Sequence, residues 1–471
     1  MQLKLSKNRQ NLHRRFLPTL WMLWMMWVLF LILLTVPGYS QFKPLYTYYN
    51  FSFGARAMGV ANAFTAVAND LSAVFWNPAG IAGFNSPEAY ANYRIDDISY
   101  NDDPQEQLLN PYTNSYTRHL DSRLKSFDFL SLSVPAYFWD MRWNFALSYY
   151  RYIPYAMSGN LMETDERSTD GISMGYNNNN TVSFSGSGGI DVLGFTAAYY
   201  LNEYFFMGIT LQQFINSGTV DYRSLYQNIN TSNKLEDNKT YSERLEGRNV
   251  ILGFIFKPMD DMAVGMTYRT RLSNTFNSDY TDIYSHNGNT GVIEDSVQAD
   301  VVIPPRLSLG MMARLFPFMR LSVDYSIIYW QRSHISHDHG QVEGEDWEFP
   351  VRNAYSFRQQ NARNLRAGLE FTVPIKQVTL FLRGGLFKEN PLFQAGAGNS
   401  QVIKITGYSL GLGLDLSSVA AFDIAYMKQK ANWWENGYFD PATPVLTHYK
   451  NNMIRLSFIF RFGHAARAPH L

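Results

Sequence analysis

The chain has 471 residues, no cysteine, 16% aromatic residues and 40 basic side chains against 40 acidic ones, a formal net charge of zero. Zero net charge gives no long-range attraction to a polyanion such as nucleic acid, and the absence of cysteine excludes thiolate metal sites, a cysteine nucleophile and the lipid-bearing cysteine of a bacterial lipoprotein. The 31 tyrosines and 33 phenylalanines suit the aromatic girdles of a transmembrane barrel, with a large soluble all-β protein as the alternative.

In chain order, the first feature is Lys4, Lys7, Arg9, Arg14 and Arg15 ahead of an apolar stretch over residues 16–36. That is the order of an export signal. Pro37 and Gly38 break the stretch, and Gly38 with Ser40 gives the small-x-small pattern of a cleavage site. Residues 1–40 therefore read as a signal peptide, and the mature chain begins at Gln41. The apolar stretch exceeds the ~7–15 residues of a usual signal core, so an uncleaved anchor, which needs ~20, stands as the alternative. No comparable run follows Val36, which excludes a protein with several apolar helical spans.

Residues 41–85 do not alternate like strands. They carry FGARAMGVANAFTAVANDLSAVFWNPAGIAGF, small residues mixed with Phe53, Phe64, Phe75 and Trp76. The pattern predicts short helices over 57–68 and 71–75, broken at Asn69-Asp70 and ended by Asn77-Pro78. Small residues allow close approach of backbone to wall, and the segment is long enough to plug a barrel lumen. Phe75, Trp76, Asn77, Pro78, Ala79 and Gly80 are its candidate gating residues. A leader that packs nowhere would be polar.

Residues 86–462 repeat segments of about ten residues in which apolar and polar side chains alternate, the period of a strand with two unlike faces. Strands are predicted at 88–95, 127–137, 142–152, 189–201, 203–215, 246–257, 261–272, 305–315, 318–332, 361–373, 376–388, 405–415, 419–429 and 451–462, fourteen in all. Short turns at 138–141, near 202, and at 258–260, 316–317, 374–375 and 416–418 alternate with long polar connections: 96–126, 153–188, 216–245, 273–304, 333–360, 389–404 and 430–450. Strict alternation of short and long connections predicts an all-β fold, a transmembrane antiparallel fourteen-stranded barrel with both ends in the periplasm and the helical hatch inside its lumen.

One face of these strands carries Leu, Ile, Val, Phe, Tyr and Met. The other carries Arg269, Arg306, Arg320, Asp324, Arg366, Glu370, Arg383, Asp415, Asp423, Arg455 and Arg461. A Lys or Arg facing lipid at mid-membrane costs ~2–4 kcal/mol, so the charged face is the lumen. These charges form either a lattice of mutual salt bridges or part of a ligand site.

His334, His337 and His339 with Asp338 could hold a divalent metal, but a solvated polar loop is the better reading, since no regular element fixes them. No His-Glu-x-x-His run occurs in the mature chain, and no enzyme and no cofactor are expected. Residues 463–471 extend beyond Phe462, the aromatic residue expected to end the barrel.

Gly54, Arg56, Gly59, Asp70, Ser72, Ala73, Asn77, Pro78, Ala79 and Gly80 resemble the amino-terminal hatch of the FadL/TodX family of outer-membrane transporters. IPPRLSLGMMARL followed by LSVDYSIIYWQ looks like two of the family's strands, so the resemblance spans the mature chain. It implies passive uptake of hydrophobic molecules, long-chain fatty acids, alkanes or aromatics, by lumenal capture and lateral release into outer-membrane lipid. It also implies that Asn77, Pro78 and Ala79 lie against a kink in the third strand, although residues 142–152 contain no Gly or Pro to force one. Two other readings remain: a polar porin, which an apolar hatch disfavours, and a barrel that docks a protein partner in a secretion or surface complex.

Overall fold

The computed structural model describes residues 52–102, 107–109, 112–138, 141–154, 157–169, 172–173, 178–215, 217–228, 234–286, 289–329, 335–337, 361–390, 394–397, 399–402, 404–416, 419–436 and 444–462. The signal peptide expected at 1–40, residues 463–471 and His334, Asp338 and His339 lie outside them, as does the side chain of His337.

Fourteen long strands form the wall: β1 Glu88–Asp102, β2 Tyr112–Phe138, β3 Met141–Pro154, β4 Asn178–Tyr200, β5 Phe205–Ile215, β6 Lys234–Met259 and β7 Met262–Arg269. The second half is β8 Arg306–Phe316, β9 Met319–Ile328, β10 Ala362–Ile375, β11 Val378–Glu389, β12 Ile405–Asp415, β13 Ala420–Asn436 and β14 Pro444–Arg461. Each pairs antiparallel with the next, and β14 returns to β1 with Arg461 opposite Glu88. Closure leaves the wall no free edge, as a sheet in lipid requires. All fourteen strands coincide with those expected from alternation.

Their lengths do not. A tilted strand crosses a bilayer in ~9–11 residues, whereas β2 has 27 residues and β6 has 26. The excess projects beyond the membrane at the end opposite the short turns. There Met157–Thr169 pairs with β2 and β4, Ser217–Asn228 with β4 and β6, and the hairpin Leu272–His286 and Asn289–Ile303 continues the sheet from β6. The expected loops at 96–126, 153–188, 216–245 and 273–304 are therefore largely paired strands. With water on both faces, such ribbons need no apolar alternation, and the period-two signal fails there. A smaller correction concerns the turn expected at 374–375: Pro374 and Ile375 remain paired in β10, and Lys376, at φ 55°, makes the turn.

Inside the wall lies the hatch, with helices α1 Ala55–Gly59 and α2 Ala73–Trp76 and a 3₁₀ turn over Pro78–Gly83. The helix expected over 57–68 stops at Gly59, because Ala61 and Asn62 have positive φ (55° and 61°) and the chain turns along the wall. Most hatch residues from Phe53 to Ala82 are fully buried, and Phe53, Phe64, Leu71, Phe75, Trp76 and Ile81 centre an apolar cluster that continues into the wall through Phe129, Tyr150, Tyr152 and Phe214. On the outside, Leu309, Met311, Leu410, Leu412, Phe458 and Phe460 are exposed, the band that meets lipid.

Candidate functional site

The hatch is seated on glycine. Gly208 of β5, Gly253 of β6, Gly265 of β7, Gly310 of β8, Gly368 of β10, Gly385 of β11 and Gly411 of β12 face inward beneath it. A Cβ on Gly253 would stand 2.3 Å from Asn77 Oδ1, and one on Gly265 would stand 2.3 Å from the Thr65 carbonyl oxygen. A side chain at Gly253 would displace the Asn77 side chain and the Pro78 ring, and one at Gly265 the hatch backbone itself. Gly80 is the reciprocal case within the hatch, where a Cβ would fall 1.8 Å from the Ala68 carbonyl oxygen.

With the backbones this close, wall side chains take the place of intrahelical partners. Ala55 N donates to Ser457 Oγ at 2.7 Å, and Ala61 N donates to Ser409 Oγ at 2.9 Å. Phe64 N and Thr65 N both donate to Asp324 Oδ2, at 2.9 and 2.8 Å. The wall thereby satisfies hatch N–H groups, those of Phe64 and Thr65 above all, where the chain leaves helical geometry. Asn77 is fully buried; its Nδ2 donates to the Thr65 oxygen at 2.7 Å and to the Phe254 oxygen of β6 at 3.1 Å, while Oδ1 accepts from Ala79 N at 3.2 Å. Pro78 follows at the first position of the 3₁₀ turn, where its missing N–H costs nothing.

This placement corrects the relation implied by resemblance. Asn77, Pro78 and Ala79 pack on β5 and β6 at Gly208 and Gly253, not on a kink in β3. Strand β3 holds the segment that follows, through Asn144 Nδ2 to the Ala82 and Phe84 oxygens at 3.1 and 3.0 Å and Arg142 to the Phe84 oxygen at 2.8 Å. An irregularity does occur in β3, but higher up, where the register with β4 shifts between Arg151 and Ile153. Across from it Gly188 and Gly189 have φ of 82° and 151°. No Gly or Pro within 142–152 marks it, because the glycines that permit it belong to the neighbouring strand.

Beside that break lies an aromatic cluster between hatch and wall. Phe53 meets Phe75 at 4.6 Å and Tyr150 at 5.2 Å, Phe129 stacks on Tyr150 at 5.4 Å, and Tyr152 meets Phe214 edge-on at 5.0 Å. Trp76 anchors the cluster by donating Nε1–H to the Phe53 oxygen at 2.9 Å. Beneath the hatch a cavity of about 480 Å³ opens among Val67, Gly83, Phe84, Tyr204, Lys257 and Asp260.

The expected lumen charges all face inward, and most form the salt-bridge lattice. Glu370 gathers Arg56 of the hatch at 3.1 Å, Arg383 at 2.7 Å and Arg320 at 3.5 Å, and Arg383 also binds Asp423. Arg366 pairs with Glu389 at 2.6 Å, Arg461 with Asp415 at 2.7 Å, and Arg455 with Asp96. Asp324 serves the hatch backbone. Arg306 has no carboxylate partner among the described residues; it donates to Ser308 and Ser326 Oγ at 3.2 and 3.3 Å. Arg269 lies with its guanidinium 4.3 Å from the centroid of the Phe75 ring and donates to the Phe75 oxygen at 3.3 Å.

Sequence reading missed Arg94, Asp96 and Asp128. Arg94 and Asp96 continue the period-two row of Tyr90 and Asn92; Arg94 lies within the strand expected at 88–95, and Asp96 just beyond its boundary. Asp128 carries no such signal: it is the extra residue of a bulge in β2 opposite Asn92–Tyr93, which turns it and Phe129 inward together.

No curated protein matches the chain. Among solved structures, a FadL homologue of Pseudomonas aeruginosa is 14% identical, covers 91% of this chain and 99% of its own, and superposes with a TM-score of 0.54. The toluene transporter TbuX of Ralstonia pickettii is 12% identical over 88% of this chain and 99% of its own, TM-score 0.53. TodX, a toluene transporter of P. putida, gives 11%, 88%, 99% and 0.53 in the same terms. These likenesses establish the fold, and the family profile of the outer membrane protein transport proteins (OMPP1/FadL/TodX) matches residues 49–372. A closed fourteen-stranded wall around a seated amino-terminal hatch, in a chain matched by that profile over more than half its length, belongs to the OMPP1/FadL/TodX family of outer-membrane transport proteins.

Proposed function

We propose that this barrel takes up apolar molecules, long-chain fatty acids or aromatic hydrocarbons, by capturing them in the lumen and releasing them sideways into the outer membrane. The observation that carries the reading is the aromatic cluster of Phe53, Phe75, Phe129, Tyr150, Tyr152 and Phe214, set between a buried hatch and the β3–β4 break. These side chains are packed against one another with almost no exposure; a polar porin has no use for such an apolar filling, whereas an apolar solute that takes the place of the hatch rings leaves water at a gain of ~25 cal/mol per Å². The structural neighbours include transporters described for toluene, which supports the aromatic alternative as well.

In this reading residues 41–85 act as the hatch, with Phe75, Trp76, Asn77, Pro78, Ala79 and Gly80 holding the lumen shut, and the β3–β4 seam is the lateral exit. Asn77 and Pro78 lock the hatch to β5 and β6, so the exit lies away from the lock. Cysteines at Ile153 and Ile190, opposite each other at the break, test the exit in a chain that has no other cysteine. Oxidation is expected to reduce uptake of labelled palmitate or toluene, and a reductant to restore it. Undiminished uptake with the disulfide formed would remove the seam from the route.

A further inference from the structure

The outward face of the wall changes chemistry at one level of the ladder. On β12 the alternate side chains Leu416, Leu414, Leu412, Leu410 and Tyr408 are all exposed. At the usual tilt such a run makes one bilayer crossing, which takes ~9–11 residues. The next outward positions toward the projecting ribbons are Thr406 and Lys404, both exposed. Neighbouring strands change at the same level. The register places Lys388 of β11 opposite Thr406, Thr406 opposite Lys430 of β13, Lys430 opposite Lys450 of β14, and Lys450 opposite Ser99 of β1. Lys388, Lys430 and Lys450 are exposed, and Lys428 points outward one step below Lys430.

Lys430 and Lys450 are like charges directly opposite each other, which destabilises a sheet. None of the five lysines has a carboxylate partner among the described residues. Asp97 shares the row of Lys428 through Asn452, but Arg123 already holds it at 2.6 Å. Directly beneath the lysines Tyr408 and Tyr426 lie with ring centroids 6.4 Å apart, and the Tyr426 hydroxyl donates toward the ribbon end, to Asn452 Oδ1 at 2.9 Å. Rings with an apolar body on the hydrocarbon side and a hydroxyl on the other mark the level of lipid head groups.

We propose that Lys388, Lys404, Lys428, Lys430 and Lys450 bind the phosphate groups of a phosphorylated glycolipid in the outer leaflet, whose acyl chains lie on the apolar band below, against Leu386, Leu410, Ile424 and Phe458. Charge and continuity identify the occupant: the row needs anions, and it adjoins a face that meets hydrocarbon. A lysine stem covers apolar wall while its ammonium group reaches the head-group level, and basic clusters beside a membrane hold anionic lipid. From Lys388 to Lys450 the row crosses the gaps β11–β12, β12–β13 and β13–β14. That is roughly 14 Å at ~4.8 Å per gap, the width of a large head with several chains rather than of a single-chain amphiphile. The site lies outside the barrel and is independent of what the lumen carries. It requires the ribbon end to face the cell exterior, the leaflet in which such glycolipids lie.

Equilibrium binding of fluorescent lipid A, with its phosphates and after their chemical removal, to the purified full-length barrel in non-ionic detergent tests the assignment. The wild type should bind the phosphorylated form at least about tenfold more tightly, equivalent to about 1.4 kcal/mol. Replacing three exposed members of the row together, Lys388→Gln, Lys430→Gln and Lys450→Gln, should bring that ratio to about one, while arginine at the same three positions should keep most of it. Only variants that retain the heat-sensitive gel mobility of a closed barrel are compared. Equal wild-type affinity for the two forms of lipid A, or a preference surviving in the Gln triple, overturns the assignment. So does phosphatidylglycerol binding as tightly as lipid A, since the row would then hold any anionic lipid.

Discussion

At the scale of single residues, Glu370 is where hatch and wall are held together electrostatically. It sits 5% exposed among Arg56, Arg320 and Arg383. Removing one charge from a buried set leaves the others uncompensated, at a cost of ~3–5 kcal/mol. Glu370→Gln is therefore expected to lower the thermal unfolding midpoint of the barrel clearly, read by the loss of its heat-sensitive gel mobility. An unchanged midpoint would mean that the three arginines find other acceptors. Residues of this kind were legible in the sequence because the two faces of a lipid-spanning strand differ so much in chemistry: Arg320, Glu370 and Arg383 could face only inward. Their partners were not legible, because pairing depends on register between strands, and Asp128 depends on a bulge that alternation cannot reveal.

At the scale of elements, the strands were readable wherever one face met lipid and the other the lumen, and unreadable where both met water. The paired ribbons formed by Met157–Thr169, Ser217–Asn228, Leu272–His286 and Asn289–Ile303 belong to the second kind. In the hatch the apolar, small-residue composition was readable, but the length of α1 was not, since Ala61 and Asn62 turn the chain at positive φ and Asp324 takes the Phe64 and Thr65 donors that a helix over 57–68 would otherwise use. The element-level test is Gly265→Val. Its branched side chain would overlap the Thr65 carbonyl and the Ala66 Cα, so the hatch must shift while β7, facing lipid with Val264 and Met266, keeps its pairing. The variant is expected to insert normally and to admit small sugars into liposomes that the wild type excludes. Continued exclusion would show that the hatch closes the lumen without that seat.

For the whole molecule, the short turns and the projecting ribbons define two ends, and family membership places the wall in the outer membrane. Epitopes inserted at Asn178 or His337 are expected to be reached by antibody on intact cells, whereas one at Asp260 should be reached only after the membrane is opened. The reverse pattern would invert the barrel. Strand number and closure followed from the rhythm of short and long connections, a property of the entire chain, and the position of the hatch from the small-residue, aromatic composition of the segment before β1. What that rhythm could not carry is which inward groups end up adjacent, as Arg269 does opposite Arg306.

The bond from Ala55 to Ser457 joins residues 402 positions apart, and Ala61 reaches Ser409 across 348. A seat composed from seven strands exists only once those strands stand side by side. The hatch is thus the earliest part of the described chain to be synthesised and among the last to find its partners, so its docking must await the late strands. Contacts so distant in sequence make for slow folding. Until β14 meets β1, a chain rich in Phe and Ala has to be kept from collapsing on itself, which makes the interval before closure the vulnerable stage in this protein's biogenesis.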